Sequence, residues 1–276
     1  MNIVYYNSNF IKESSLHINM NNRAFNYGDG FFETIKIINS TAFNLSAHLQ
    51  RIKSAKQILQ LHLNEDMNMI TDIIEELIKK NKIINGSVKL YFIRKEGGKY
   101  LPSYLDTDLL ITTYKGSSFL QNMPISMCVF NNEKKTKSKL SNIKTLNSLI
   151  PILASIYAKK SGYDNAIILN IDNNIVQAIN ANIFLFFNNI IYTPPILDGC
   201  VEGTMRTWLL SNEDVVEQSL TLDDLKNAEE VFISNAISGF IPIKSIDING
   251  KKDYKIEKVI SIQNRIINLS LDLSVS

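Results

Sequence analysis

Lys144 is the residue of this sequence whose position best suits covalent chemistry with a carbonyl compound. It lies between an apolar strand pattern at 125–131 and a helix predicted over about 147–160, where its side chain can enter a cleft. A buried lysine loses proton affinity, and the neutral amine is the form that makes a Schiff base with an aldehyde. One lysine among many is more often a surface residue, so position alone leaves both interpretations open.

Two further features could bind an anion such as a phosphate. Arg51 falls one turn into a predicted helix and could offer a bidentate fork. Gly203-Thr204-Met205 opens another predicted helix, whose free N–H groups and positive dipole end favour an anion, and Thr204 could add its hydroxyl. The alternative interpretation is an ordinary capped helix and a surface arginine.

Other chemistries find little support. The three histidines, His17, His48 and His62, lack metal-ligand spacing, so no metal site is expected and no Ser-His-Asp triad can be assembled. Neither a phosphate-binding P-loop nor a dinucleotide-binding GxGxxG pattern occurs.

Composition narrows the class of protein. The chain has 276 residues, 45% hydrophobic, which is ample for a buried core, and 29 Lys+Arg against 27 Asp+Glu give a net charge of +2. No nucleic-acid footprint follows from that balance. The scattered lysine pairs, Lys134-Lys135 among them, are interpreted as solvated surface. No apolar run reaches the roughly 18 residues that a membrane span needs, no signal peptide is expected, and Cys128 and Cys200 make no disulfide framework. A soluble cytoplasmic protein is expected.

The pattern of elements predicts an α+β fold with two domains. Strands are predicted at 2–6, 9–12, 31–38, 87–94, 109–114, 125–131, 166–170, 181–187, 190–192, 230–234 and 239–243, and helices from an N-cap at Ser46 and over 66–80, 147–160, 204–212 and 222–227. Lys115-Gly116-Ser117-Ser118 is small and polar. We therefore predict an N-terminal domain at 1–114, a linker at 115–121 and a larger C-terminal domain at 122–276.

Five segments, in this order, resemble the fold-type-IV pyridoxal-phosphate enzymes. They are Asn22 to Thr34 (NRAFNYGDGFFET), His48-Leu49-Gln50-Arg51, Ile143-Lys144-Thr145-Leu146-Asn147, Asn182-Ile183-Phe184-Leu185 running on to Tyr192-Thr193-Pro194-Pro195, and Gly203-Thr204-Met205-Arg206. This family contains branched-chain aminotransferases, D-amino-acid aminotransferases and 4-amino-4-deoxychorismate lyases, and the chain is closest in character to the lyases. The resemblance implies pyridoxal 5′-phosphate in a cleft between two domains, and a homodimer.

The resemblance also implies roles for individual residues. Lys144 would carry the cofactor as a Schiff base and then act as general base and acid on the substrate. The other cofactor-binding positions would be Arg51, Gln177, Asn182, Gly203, Thr204, Met205, Asn235 and Ala236, of which the last two match a second phosphate-contacting loop.

Gln177 departs from the family pattern. The family normally places a glutamate five residues before the Asn of the Asn-hydrophobic-Phe strand, here Asn182, to keep the pyridine nitrogen protonated. A neutral amide cannot compensate a pyridinium charge, so a less electrophilic cofactor is expected.

The substrate is expected to meet Tyr27, Phe32, Arg94 and Lys99. Tyr27 and Phe32 match positions that face the substrate, although plain core aromatics are an equal alternative. Arg94 corresponds to an arginine near the substrate carboxylate, and Lys99 stands where a second arginine is common.

Three functions stay open. A short chain and the loop Ser234-Asn235-Ala236 favour 4-amino-4-deoxychorismate lyase, which releases pyruvate and leaves 4-aminobenzoate for folate synthesis. The alternatives are an aminotransferase of branched-chain or D-amino acids with 2-oxoglutarate, and a non-catalytic homologue that binds the cofactor.

Overall fold

The contacts of the chain divide it into two units. The first comprises the residues up to Ser118 together with Ile143–Asn147, and the second comprises Phe119–Asn142 together with Ser148–Asp272. The division after Ser118 lies inside the segment predicted as a linker. Residues 143–147, which we assigned to the C-terminal domain, pack instead with the first unit.

The structure, a computed structural model, describes residues 2–272. Within them the first unit is built around one antiparallel sheet of six strands, in the order β2-β1-β6-β5-β3-β4. Its elements are β1 Ile3–Tyr6, β2 Asn9–Lys12, a short 3-10 helix Glu13–Ser15, α1 Arg23–Tyr27, β3 Gly30–Ile38, β4 Thr41–Ala42, α2 Leu45–Ile58, α3 Met67–Asn81, β5 Gly86–Arg94 and β6 Thr107–Lys115.

Strand β3 and helix α2 turn charged side chains toward the core of this unit. From Phe31 to Ile35 alternate residues of β3 are buried, and Glu33 occupies the middle position. On α2 the buried face carries His48, Arg51, Ile52 and Ala55, spaced as one side of a helix. Two core-facing surfaces of the unit therefore include ionisable groups.

Helix α2 begins earlier than predicted. Its first residue is Leu45 and its N-cap is Asn44, which adopts a left-handed conformation with φ 52°, so the prediction of Ser46 as the N-cap was wrong. Asparagine visits this conformation more readily than most residues, and this gives the chain a sharp entry into the helix. Helix α1, which the sequence did not indicate, ends at Gly28 with φ 62°.

The second unit contains a larger, mixed sheet in the order β12-β11-β10-β13-β14-β7-β8-β9, with β15 paired to β14. Its elements are β7 Ile125–Lys135, α4 Lys139–Asn142, α5 Leu149–Lys160, β8 Asn165–Asn170, β9 Ile175–Ala178, β10 Asn182–Phe187, β11 Ile190–Thr193, a 3-10 helix Ile196–Asp198, α6 Thr204–Asn212, β12 Val215–Glu217, α7 Leu222–Asn227, β13 Glu230–Asn235, β14 Gly239–Asp247, β15 Lys251–Asp253 and α8 Glu257–Asp272. The described helices include none long and apolar enough to cross a membrane.

Strand β7 is longer than predicted and changes the position of Lys135. It runs parallel to β8 and to β14, and its last residue, Lys135, pairs with Asn170 at the end of β8. Residues 132–135, which lie beyond the strand predicted at 125–131, are therefore strand as well. Lys135 is partly buried and makes two hydrogen bonds, so its interpretation as solvated surface was wrong.

Candidate active site

Lys144 is held beside strand β3 by the main chain. Its carbonyl accepts a hydrogen bond from the N–H of Phe32 at 3.0 Å, the N–H of Leu146 donates to the carbonyl of Gly30 at 3.0 Å, and Phe31 bridges Thr145. The backbone of 143–147 thus extends the edge of the first unit. A lysine on such a segment has a fixed starting point for its side chain.

The amine of Lys144 lies in surroundings that favour its neutral form. Its Nζ is 4.6 Å from the centroid of the Phe32 ring. Burial, and next the positive charge of Arg51, lower the pKa of Lys144 to about 8, although the carboxylate of Glu33 acts in the opposite direction. An appreciable fraction of the amine is therefore unprotonated at neutral to slightly alkaline pH.

Glu33 organises a buried charge cluster that we did not predict. One carboxylate oxygen accepts from Arg51 Nε and the other from Arg51 Nη2, both at 2.6 Å, and His48 Nδ1 lies 2.8 Å from the second oxygen. Glu33 is 1% exposed. Burial alone would raise the pKa of this carboxyl, but the charge of Arg51 and the hydrogen bonds from His48 and Arg51 hold it well below its usual range.

The ionised state of Glu33 fixes the tautomer of its histidine partner. Burial lowers the pKa of His48, so the imidazole is neutral at pH 7. Because a carboxylate only accepts hydrogen bonds, the His48 proton sits on Nδ1. The cluster was detectable in the sequence, since Glu33 interrupts an alternating apolar strand and His48 and Arg51 are three residues apart on one helix face.

Arg51 is predicted to bind the phosphate of the cofactor, and its ion pair with Glu33 bears on how it would do so. The bidentate pair fixes the plane of the guanidinium through Nε and Nη2. A guanidinium held in this way presents a charge of defined orientation. The phosphate role stays a prediction.

Arg94, predicted to meet the substrate carboxylate, is buried in contacts of its own. Its Nε donates to both oxygens of Asp29, at 3.2 and 3.0 Å, Nη1 donates to the carbonyl of Gln60, and Nη2 to that of Leu59. Asp29 also accepts from Arg23 Nε at 2.8 Å. These contacts favour a structural role for Arg94, and its contact with a substrate stays a prediction.

The remaining predicted substrate residues are more accessible. Tyr27 is 43% exposed, with the Arg23 guanidinium 4.8 Å from its ring centroid, and Phe32 is half-buried beneath Lys144. Lys99 is exposed, and its carbonyl accepts from Arg23 Nη1 at 2.7 Å. Their roles toward a substrate stay predictions.

In the second unit, Gln177 and Asn182 are polar side chains buried among strands. Gln177, on β9, is 5% exposed, and its Oε1 accepts from Lys135 Nζ at 2.9 Å and from the N–H of Val201 at 3.3 Å. Asn182, at the start of β10, donates to the carbonyl of Val201 at 2.7 Å. Val201 therefore links the two side chains, as expected if both serve one site.

Gly203, Thr204 and Met205 form the start of α6. Gly203 is its N-cap, and the first-turn residues Thr204 and Met205 are buried. A Cβ at position 203 would collide with the Asn182 side chain, so only glycine lets the helix start approach β10 this closely. This explains the glycine without any need for a positive φ.

Asn235 and Ala236 form the turn between β13 and β14. Asn235 Oδ1 accepts from the N–H groups of Ile237 and Ser238, at 3.0 and 2.8 Å, which closes an Asx turn. Both predicted residues are partly buried. A role in contacting phosphate would use groups other than this oxygen.

Comparison with known proteins identifies the family. Residues 30–246 match the model of the amino-transferase class IV family, so the chain belongs to the class IV aminotransferases, which are pyridoxal-phosphate enzymes. The D-alanine aminotransferase of Staphylococcus haemolyticus is 26% identical, over 94% of each chain.

Solved structures share the fold. A branched-chain aminotransferase from Thermoproteus uzoniensis aligns with a TM-score of 0.88 at 22% identity, covering 99% of this chain and 97% of the other. A 4-amino-4-deoxychorismate lyase from Pseudomonas aeruginosa aligns with a TM-score of 0.81 at 20% identity, covering 98% and 99%. The α+β, two-domain fold predicted from the sequence is confirmed.

The donor set of the described residues fits pyridoxal phosphate. The aldehyde needs an amine that is neutral in part, and Lys144 provides one. The phosphate needs cationic and N–H donors, available at Arg51 and at the start of α6. The ring nitrogen needs a polar partner, and Gln177 is buried and polar.

Proposed function

We propose that the chain is a 4-amino-4-deoxychorismate lyase, which splits its substrate into pyruvate and 4-aminobenzoate, a precursor for folate synthesis in the cytoplasm. Lys144 would hold pyridoxal phosphate covalently. Arg51, Thr204 and the main chain from Gly203 to Met205 would bind its phosphate, with Asn235 and Ala236 nearby. Gln177, supported by Asn182, would meet the pyridine nitrogen.

Lys144 is the group proposed to move protons in this reaction. When bound, the cofactor supplies an electron-withdrawing ring joined to the substrate amine. The Lys144 amine, whose pKa is lowered to about 8, would take the proton from the carbon that carries the amino group. The bond from the substrate ring to the enolpyruvyl oxygen then breaks. Lys144 returns the same proton to the methylene carbon of the departing enolpyruvyl group, which completes pyruvate. Atoms balance without a co-substrate.

Gln177 is the observation that carries the choice of a lyase. A neutral amide cannot stabilise a pyridinium as a carboxylate does, so electron withdrawal by the cofactor is weakened. In the lyase reaction the substrate ring becomes aromatic as pyruvate leaves. That gain lowers the need for a strong electron sink, whereas transamination of an aliphatic amino acid has no such help.

The decisive experiment follows both products. Purified protein loaded with pyridoxal phosphate is incubated with 4-amino-4-deoxychorismate, and we expect equal amounts of 4-aminobenzoate, by fluorescence, and pyruvate, by a coupled lactate dehydrogenase assay. The matched control is Lys144→Ala, which should give neither product. Glutamate from 2-oxoglutarate and an amino acid, without 4-aminobenzoate, would refute the lyase.

An aminotransferase is the second candidate. It is supported by a relative named D-alanine aminotransferase that spans the chain, and by the fold shared with a branched-chain aminotransferase. The same preparation tests it, using D-alanine, L-leucine and L-valine in turn with 2-oxoglutarate. Activity with D-alanine would indicate a D-amino-acid aminotransferase, and activity with L-leucine or L-valine a branched-chain aminotransferase.

We also propose that the enzyme is a homodimer. Helix α5 leaves one apolar face exposed in the single chain. The face consists of Leu149, Ile152, Leu153, Ile156 and Tyr157. An exposed apolar stripe of this kind is typical of a surface that another chain covers. Sedimentation of the wild type and of Ile156→Asp tests the proposal, with a dimer expected for the former and a monomer for the latter.

A further inference from the structure

The amide of Gln177 has a defined orientation, because its oxygen has two partners that can only donate. The N–H of Val201 carries no acceptor, and a lysine ammonium is likewise a donor without an acceptor. Both lie within hydrogen-bonding distance of Oε1, at 3.3 and 2.9 Å. Turning the amide over would set Nε2 against two donors.

The nitrogen of this amide is therefore the atom left for a ligand. Among the described residues, no hydrogen-bond partner is found for Gln177 Nε2, although the residue is only 5% exposed. This nitrogen is not among the fully buried atoms of the described residues that lack a partner, so it keeps access to space outside the chain, where a ligand can supply the acceptor. A glutamate at this position would present an acceptor and a negative charge instead.

Lys135 is held in a position that fixes the orientation of the Gln177 amide. Its Nζ donates to the carbonyl of Ser141 at 3.0 Å and to Gln177 Oε1 at 2.9 Å, and within residues 2–272 Lys135 forms no salt bridge with a carboxylate. Burial lowers the pKa of Lys135 to about 8, with the nearby Cys200 acting in the opposite direction. The ammonium thus stays largely charged at neutral pH and adds positive charge behind the amide.

We propose that Lys135 is a positioning residue that turns the Nε2 donor of Gln177 toward an unprotonated pyridine nitrogen, and so keeps the cofactor ring uncharged. This rests on the proposed function, which assigns Gln177 to that nitrogen. The contact is one hydrogen bond from the amide N–H to the ring lone pair, and no proton is transferred. A positive ring would meet a donor where it needs an acceptor, with the Lys135 charge behind it.

The proposal explains why a lysine accompanies the amide. With a glutamate at 177, a lysine at 135 would form an ordinary ion pair. With glutamine, the same lysine decides which end of the amide faces the cofactor. A neutral cofactor ring withdraws electrons less strongly, which favours the lyase reaction, because its product gains stability by becoming aromatic.

The test reads the protonation state of the ring directly. The protein is freed of cofactor, reloaded with pyridoxal phosphate labelled with ¹⁵N in the ring, and studied by solid-state ¹⁵N NMR. We expect the resonance of a neutral pyridine in the wild type. In Gln177→Glu it should shift to the position of a protonated pyridine, because a carboxylate within about 4–6 Å favours the charged form.

Variants of Lys135 separate positioning from mere support of the fold. In Lys135→Met the amide is free to present its oxygen, so a mixture of neutral and protonated resonances is expected. Lys135→Arg, which still donates to the oxygen, should restore the single neutral resonance. Circular dichroism checks that each variant folds. If Lys135→Met does not fold, the resonance of Gln177→Glu still tests the proposal.

Two adverse outcomes are distinguishable. If the wild type takes up the cofactor on Lys144 but its ring nitrogen is protonated, this inference is overturned, and the assay of 4-aminobenzoate and pyruvate still decides the proposed function separately. If borohydride fixes no cofactor on Lys144, the proposed function fails and the inference falls with it.

Discussion

The two units each hold a lysine with a pKa near 8, in contrasting surroundings. Lys144 lies among charges: burial lowers its pKa most, Arg51 and Lys89 lower it further, and Glu33 raises it. Lys135 lies among neutral acceptors, a carbonyl and an amide oxygen, and burial dominates its pKa. Burial is thus the largest cause of the low pKa of both lysines, but only Lys144 has several charged side chains that modulate it.

A pKa near 8 therefore does not by itself distinguish the lysine that is proposed to react. What distinguishes Lys144 is the freedom of its amine, which rests over the Phe32 ring and makes no hydrogen bond within the described part of the chain. The Lys135 amine is committed to two oxygens. A group that must form and break a covalent bond benefits from the first arrangement, and a group that must hold another side chain benefits from the second.

The largest expected effect is the loss of covalent cofactor binding and of turnover on replacement of Lys144, which, unlike Lys135, is the lysine proposed to bind the cofactor. After loading with pyridoxal phosphate and reduction with borohydride, peptide mass mapping should find the label on Lys144 and none on Lys135. Lys144→Ala should lose the label and the visible absorbance, and its turnover should fall by at least about 10²–10⁴-fold because the proton-transferring group is gone. Lys53→Ala, at an exposed position of α2, is the matched control and should keep label and rate.

Removal of the Glu33 charge is expected to have the next largest effect. In Glu33→Gln the guanidinium of Arg51 stays buried without its counter-charge, and breaking a buried pair in this way costs about 3–5 kcal/mol in free energy of unfolding. Urea unfolding at pH 7 measures it. Glu76→Gln, which breaks an exposed pair with Lys80, should change stability little.

The pH dependence of this difference has a definite sign. The pKa of Glu33 in the folded chain is held below its ordinary value of 4.5, so its contribution is complete above 4.5 and is lost as the pH falls below that value. The stability gap between wild type and Glu33→Gln should narrow in acid. A constant gap from pH 7 to pH 3 would contradict the ion pair.

The rate of cofactor capture gives a third, more moderate effect. Because the neutral amine attacks the aldehyde and the pKa of Lys144 is about 8, the rate should rise about tenfold per pH unit below 8 and level off above it. Stopped-flow absorbance of cofactor-free protein mixed with pyridoxal phosphate measures this profile. In Glu33→Gln the plateau should begin at lower pH, since the carboxylate that raises the pKa of Lys144 has been removed.

How much of this site could be predicted differs between the units for a physical reason. Lys144, Arg51 and the Gly203 turn were predicted as site residues because each lies in a short contiguous motif, and their roles stay predictions. The Glu33 cluster was not predicted. A charge in an alternating apolar strand was visible, but Glu33 lies on β3 and its partners on α2, so their contact depends on how the two elements pack.

Lys135 could not have been found in the same way. It lies 42 residues from Gln177 in the chain, and only the pairing of β7, β8 and β9 brings the two together. A lysine pair such as Lys134-Lys135 has the composition of a surface. The fold class, most strands and helices α2 and α3 follow from local periodicity, although α8, the longest described helix, was not predicted. A contact of this kind depends on sheet order, which periodicity does not encode.

The smallest expected effect extends the comparison to the cations predicted to meet the substrate. Lys99→Ala removes an exposed charge, so we expect KM to rise by no more than about fivefold, equivalent to about 0.2–1 kcal/mol, with kcat unchanged.

Arg94→Ala removes a buried cation tied to Asp29, so it should lower the free energy of unfolding rather than raise KM in the fraction that folds. Steady-state kinetics and urea unfolding of both variants decide the matter. A large rise in KM for Arg94→Ala at unchanged stability would return Arg94 to the substrate site, because an arginine that merely holds Asp29 has no reason to affect substrate binding.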